Sequence, residues 1–129
     1  MRVVEEIKIT KEYLRANPQT IFVFGDNMAR KGYGGAAALR DEPNTYGFIT
    51  MKNIYEENPD YTPTEYIPTF LDEARKLREY IQNSPGITFV ISKVGAGIAN
   101  HHNIWEEVIY PGLPVFLMDL ENVTLLFEI

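Results

Sequence analysis

Two glycine-rich loops carry the residues whose types and spacing could bind an anion. Glycine lets the main chain approach a ligand closely, and unpaired N–H groups at the start of a following helix attract negative charge. The first loop therefore predicts a phosphate cradle, to which Arg30 adds a further cation. Its candidate ligand-binding residues are Gly25, Asp26, Asn27, Lys31, Gly32, Tyr33, Gly34, Gly35 and Ala36. A glycine-rich turn without a ligand is the alternative, because the loop has neither the Gly-Lys-Ser/Thr of a P-loop nor G-x-G-x-x-G.

The second loop, residues 93–102, follows another apolar run and has the same design. Its candidate ligand-binding residues are Gly95, Ala96, Gly97, Ile98, Asn100 and His101. Two such loops facing each other could hold a pyrophosphate, whereas an ordinary strand-to-helix turn is the alternative. His101 or His102 could touch a phosphate or ribose, but adjacent histidines without a third ligand at metal spacing predict no metal site.

Individual side chains allow more than one role. Asp26 could orient a ribose hydroxyl or pair with Arg30 or Lys31, and Tyr33, between glycines, could face a base. Trp105, the single tryptophan, is expected to pack in the core.

Composition limits the classes of function. The chain has 129 residues, 45% of them hydrophobic, which predicts one globular domain over residues 1–129. It has no cysteine, so disulfides and thiolate chemistry are excluded. The net charge of −6 argues against a nucleic-acid surface. No apolar run suits an export signal or membrane anchor, so a cytoplasmic protein is expected, and a homo-oligomer stays open.

Apolar periodicity places the loops between strands and helices. Strands are predicted at residues 3–10, 20–25, 46–51, 87–92, 115–119 and 123–127. Helices are predicted at residues 11–17, 36–40, 65–83 and 104–109. Thr64 should cap the long helix, and Asn103 and Glu106 have capping-box spacing for the last one. This order predicts an α/β fold in which both loops lie at the carboxyl ends of strands and meet on one edge of the sheet.

The chain resembles macrodomains in several short motifs. TIFVFGDN followed by GYGGAAA is similar to the segment in which a strand ends in asparagine and a glycine loop opens a helix. GFITMKN, TPTEYIPTFLDEARKL and ITFVISKVGAGIANHHNIWEEV resemble, in order and spacing, the branch of terminal ADP-ribose glycohydrolases and DNA ADP-ribosylation antitoxins. The start FVFGDN also resembles an often phage-borne group with F-V-F-G-[SD]-N.

The resemblance implies a three-layer, macrodomain-like α/β fold with a mixed, mostly parallel central sheet covered by helices. It implies an ADP-ribose-like or cyclic NAD-derived nucleotide as ligand, and no cofactor. Asn27 matches the asparagine near the distal ribose. The phosphate loops match at Gly32, Gly34, Gly35 and Ala36 and at Gly95, Ala96, Gly97 and Ile98.

The departures from this pattern bear on activity. Macrodomains commonly carry Gly-Asp, with the acid on the adenine amine, where this chain has Ile7 and Lys8. The catalytic lysine of the glycohydrolase branch is replaced by Met51, with Lys52 one place late, and Ala99 occupies the position of its aspartate.

These differences favour a nucleotide-binding protein, such as a phage-type sponge that sequesters an NAD-derived defence signal. An ADP-ribosyl hydrolase or ADP-ribose phosphatase using Asp26, Lys52 or Glu106 is the alternative. A structural protein whose loops bind nothing is the third possibility.

Overall fold

A five-stranded sheet forms the centre of the fold, and all of its strands run in one direction. The computed structural model describes residues 1–4 and 7–129. Its strands are β1 (Arg2–Val3), β2 (Thr20–Asn27), β3 (Thr45–Met51), β4 (Thr88–Ile91) and β5 (Val123–Leu125). Their order is β1-β5-β4-β2-β3, and each pairing is parallel. The α/β class is confirmed, but the mixed sheet is wrong, because the only antiparallel pairing in the described residues is the isolated bridge between Met51 and Asp60.

Strand β2 lies between β4 and β3 and carries the apolar run that both faces of the sheet bury. Ile21 and Val23 join the larger of two hydrophobic clusters, whereas Phe22 and Phe24 join the smaller one on the opposite face. Successive side chains of a strand point to opposite faces, so a continuous apolar run satisfies both cores. The first loop therefore leaves a strand that is held from both sides.

The helices are α1 (Lys11–Ala16), α2 (Pro63–Gln82) and α3 (Tyr110–Leu117), with a 3₁₀ turn at Gly35–Leu39 and a π-helical turn at Trp105–Ile109. Thr62, not the expected Thr64, caps α2. Its Oγ1 accepts the N–H of Glu65 at 3.3 Å, and Oε1 of Glu65 accepts the N–H of Thr62 at 3.1 Å. Pro63 suits the first helical position, because an N–H at that position would have no carbonyl acceptor within the helix. No helix in the described part of the chain is long and apolar enough to cross a membrane.

Two of the predicted strands differ in the structure. Residues 115–117 of the predicted strand at 115–119 belong to α3, where Leu113 and Leu117, four positions apart, are fully buried. The predicted strand at 3–10 extends no further than Val3 in the described residues. Residues 5 and 6 of that prediction lie outside them, and Thr10 instead accepts the N–H of Tyr13 to cap α1.

The outer edge of β3 is covered by side chains. Oε1 of Glu73 accepts the N–H of Ile49 at 2.7 Å, and the hydroxyl of Tyr66 donates to the carbonyl of Ile49 at 2.6 Å. Arg30 donates to the carbonyl of Gly47 at 2.7 Å. Burial, with a smaller effect of Glu73, raises the pKa of Tyr66, which keeps its hydroxyl a donor. These contacts fix β3 beside the end of β2.

Candidate functional site

A cleft of about 480 Å³ opens at the carboxyl ends of β2, β3 and β4. Both glycine loops contribute to it, as the parallel order of the strands requires. The predicted residues that line it are Gly25, Asp26, Asn27, Lys31, Gly32, Gly34, Gly35, Ala36, Gly95, Gly97 and Ile98. The lining residues that were not predicted to bind ligand are Ala37, Arg40, Thr50, Met51, Ile54, Lys93 and Ala99.

Asn27 shapes the start of the first loop. Its Nδ2 donates to the carbonyl of Lys31 at 2.7 Å, and its Oδ1 accepts the N–H of Ala29 at 3.0 Å. Arg30, between them, has φ of 56°. Since an asparagine amide has two N–H donors, one remains for a ligand.

The tip of the first loop presents unpaired main-chain donors. Gly32 and Gly35 have φ of 98° and 60°, which other residues adopt at a cost. Within residues 1–4 and 7–129, the N–H groups of residues 32–36 find no protein acceptor. The expected α-helix at residues 36–40 is a five-residue 3₁₀ turn, which has little macrodipole. The cradle would therefore act through individual N–H groups.

The second loop approaches the first across the cleft. Gly95 has φ of 80°, which strains any other residue, and a Cβ there would lie 2.5 Å from Cδ1 of Ile109, which would have to move. A Cβ at Gly97 would meet nothing within 4 Å. Ile98 is 78% exposed, and its Cδ1 lies 3.8 Å from the point where a Cβ of Gly34 would be. The N–H groups of residues 97–99 have no acceptor among the described residues.

The charge of the cleft is opposite in sign to that of the chain. Among the described residues, Lys31, Arg40 and Lys93 line it together with one carboxylate, that of Asp26, so the local charge is +2 (three minus one). The whole chain carries −6. Lys93 lies 5.5 Å from the ring centroid of Trp105, which is buried as expected. Its place at the start of the second loop, two residues after β4, was the sequence signal for Lys93.

Asp26 is fully engaged by arginines. Its Oδ1 accepts from Nη2 of Arg40 at 2.6 Å, and its Oδ2 accepts from Nη1 of Arg40 at 3.0 Å and from Nη1 of Arg30 at 3.2 Å. The Asp26 side chain is 2% exposed. Of the roles left open for Asp26, the structure has the pairing with Arg30. Arg40 was missed, because fourteen residues separate it from Asp26 and no periodic pattern links the two.

Four of the predicted ligand-binding residues do not line the cleft: Tyr33, Ala96, Asn100 and His101. The Tyr33 hydroxyl donates to Oδ2 of Asp41 at 3.0 Å, and this contact raises the pKa of Tyr33. The ring is thus tied to the end of its own loop. His101 is exposed, with its ring centroid 4.7 Å from that of His102. Within the described residues, no three acidic or histidine side chains form a metal site.

Asn100 organises the end of the second loop. Its Nδ2 donates to both carboxylate oxygens of Glu106, at 2.7 and 2.8 Å, and its Oδ1 accepts the N–H of Trp105 at 2.9 Å. The expected capping box of Asn103 and Glu106 is therefore wrong, and Asn100 takes the place of Asn103.

The three candidate catalytic residues are all held by protein groups. Asp26 is paired with arginines, and Glu106 accepts from Asn100. Nζ of Lys52 lies 2.9 Å from Oε2 of Glu65 and 5.5 Å from the ring centroid of Tyr61. Neither Lys52 nor Glu106 lines the cleft.

The chain matches a family model over residues 4–103, a span that contains both glycine loops. The model is described as a family of unknown function, DUF7831. No curated protein and no solved structure matches the chain.

Proposed function

The chain belongs to the DUF7831 family, and we propose that its cleft binds an ADP-ribose-like nucleotide through the pyrophosphate. One observation carries the proposal. Two loops with unpaired N–H groups face each other across a cleft of charge +2 in a chain of charge −6. A cleft built in this way favours an anion that can reach both loops.

The pyrophosphate is the part of the ligand that fits both loops. The side chain of Ile98 reaches toward Gly34, so the two loops come close together here, and we call the space beside this contact the passage. A phosphate on each side would meet N–H groups of residues 32–36 or of residues 97–99. A hydrogen bond to a charged group contributes about 1.5–3 kcal/mol. A pyrophosphate that is bound by both loops can therefore gain more binding free energy than a single phosphate bound by one loop.

The remaining parts of the ligand would lie at the two ends of the passage. At one end, Asn27 and Thr50 offer polar groups for a ribose. At the other, a second cavity of about 510 Å³ shares Gly35 and Ala36 with the cleft. It is lined by apolar residues such as Phe22, and by Lys8 in place of the acid that would hold an adenine amine. Such a cavity accepts a flat base without selecting adenine.

Binding without turnover is the form of this function that we favour. Hydrolysis of the glycosidic bond needs a free carboxylate or amine at the anomeric carbon. Ala99 lines the cleft at the position of the glycohydrolase acid, and Asp26 is neutralised by arginines. A protein that binds such a nucleotide without hydrolysing it would act as a sponge. Because the chain resembles phage-borne proteins, we propose that it removes an NAD-derived defence signal.

Competition binding tests the proposal. ADP-ribose should bind, and its inosine analogue should bind within about tenfold of it, because the base is not selected. AMP and adenosine, which lack the pyrophosphate, should bind at least about a hundredfold more weakly. If adenosine competes as well as ADP-ribose, recognition is by the base and the two-loop model is wrong.

A further inference from the structure

We propose that Arg40 holds the first loop in its anion-binding shape, an inference that rests on the proposed function. Arg40 lines the cleft and joins Asp26, near the end of β2, to Gly32 at the tip of the loop. It is thus a positioning residue, acting through Gly32 and Asp26.

The contacts of Arg40 account for this role. Its Nε donates to the carbonyl of Gly32 at 2.9 Å, and two further N–H groups bind the carboxylate of Asp26. Its guanidinium carbon lies 5.3 Å from the centroid of the Phe24 ring, so this side chain of β2 helps to hold the guanidinium group in place. Because the carbonyl of Gly32 turns toward Arg40, the loop keeps the bend that leaves the following N–H groups without protein acceptors.

Arg40 also sets the charge that a ligand meets. The hydrogen bond with Asp26 raises the pKa of Arg40, so the guanidinium stays charged. Without Arg40, Asp26 would keep the N–H of Asn27 at 2.8 Å, and the one cation paired with it among the described residues would be Arg30, whose side chain is 52% exposed and whose contact is 3.2 Å. The carboxylate would then repel an anion in the cleft. Loss of Arg40 should therefore weaken binding by loosening the loop and by uncovering this charge.

Arg78 provides a matched control in the same chain. It donates to both carboxylate oxygens of Asp119, at 2.6 and 2.7 Å, and to the carbonyl of Phe116 at 2.6 Å. Arg78 thus donates three hydrogen bonds to the same two kinds of acceptor as Arg40, a carboxylate and a main-chain carbonyl, but does not line the cleft. R78Q removes an equivalent set of contacts without touching the loop.

The test is calorimetric titration of ADP-ribose and of inorganic pyrophosphate into the folded wild type and four variants. R40Q should lower the affinity for ADP-ribose by about thirtyfold or more, the equivalent of one charge-assisted hydrogen bond, and R78Q by less than about twofold. The affinity of R40K should lie between those of R40Q and R78Q, because the lysine ammonium keeps the charge but lacks the planar set of N–H donors of a guanidinium. D26N/R40Q should bind at least about fivefold more tightly than R40Q, because the uncovered carboxylate is gone.

The possible results separate this inference from the proposed function. If the wild type binds ADP-ribose and R40Q binds like R78Q, the inference on Arg40 is overturned and the proposed function stands. If D26N/R40Q binds no better than R40Q, or if R40K binds like the wild type, the positioning role is overturned. Should R40Q not fold, R40K decides the question, since it keeps the charge at this position. A wild type that binds neither ADP-ribose nor pyrophosphate overturns the proposed function and this inference with it.

Discussion

Replacing Gly34 with valine should fill the cleft without straining the backbone. Gly34 has φ of −74° and ψ of 139°, a region that valine prefers. Among the described residues, a Cβ there would meet only Cδ1 of Ile98, at 3.8 Å, which is ordinary van der Waals contact. The free energy of unfolding should therefore change by no more than about 0.5 kcal/mol. Gly35 is a poorer target, because at its φ of 60° a valine would itself cost roughly 1–2 kcal/mol.

The expected loss of affinity follows from the N–H groups that the valine would shield. Its two methyl groups would lie near Ile98, where the loops approach each other and where a phosphate would contact residues 32–36. Loss of two charge-assisted hydrogen bonds costs about 3–6 kcal/mol, and every 1.4 kcal/mol is about a factor of ten. The affinity for ADP-ribose should fall at least about a hundredfold.

Calorimetric titration of ADP-ribose measures this effect, and denaturant unfolding checks the stability of the variant. Gly86→Val is the matched control, because a Cβ at Gly86 meets no described residue within 4 Å and this glycine lies outside the cleft. The control should bind like the wild type. A folded Gly34→Val protein with unchanged affinity would remove the phosphate-cradle assignment and refute the reasoning.

Three further predictions concern turnover, pH and packing. Incubation with ADP-ribosylated protein or DNA should release no ADP-ribose above background by chromatography, and robust release would mean that a carboxylate has replaced the one missing at Ala99. The hydrogen bond from Lys52, and to a smaller extent those from Thr62, lower the pKa of Glu65 from 4.5 to about 2. The contact between Lys52 and Glu65 therefore stabilises the fold above pH 4.5, and this stabilisation is lost as the pH falls toward 2. The melting temperature of the wild type should accordingly approach that of Glu65→Gln across this range, and a constant difference would contradict it. Glu73→Ala should lower the free energy of unfolding by about 1–3 kcal/mol, because the buried N–H of Ile49 loses its acceptor, whereas Glu73→Gln should lose less, and equal losses would argue against this contact.

The parts of the fold that could be predicted are those in which a single sequence pattern indicates the secondary structure. The apolar run of β2 and the glycines after it indicated a buried strand and a loop at its carboxyl end, and the structure has both. The prediction failed where two patterns compete. The mostly apolar residues 115–119 were predicted as a strand, but the spacing of the buried Leu113 and Leu117 in the overlapping run YPGLPVFL is that of a helix.

The site was predictable to the extent that it is local in sequence. Glycine positions and the polar residues beside them can be read along the chain, and the order of a parallel sheet brings the two loops together. Arg40 could not be found in this way, because its contacts with Asp26 and Gly32 form only when the chain after the loop folds back against the end of β2. Likewise, Asn100 rather than Asn103 meets Glu106, and Asn103, with φ of 65°, follows the turn at residues 101–102.

The covered edge of β3 bears on how this protein behaves at high concentration. A β-strand from another molecule can join a sheet only where the main-chain groups of an edge are free. Here Glu73 and Tyr66 already occupy both groups of Ile49, and Arg30 occupies the carbonyl of Gly47. An incoming strand would have to displace a carboxylate, a phenol and a guanidinium at once. The same side chains that align β3 with the cleft therefore protect this side of the sheet from aggregation.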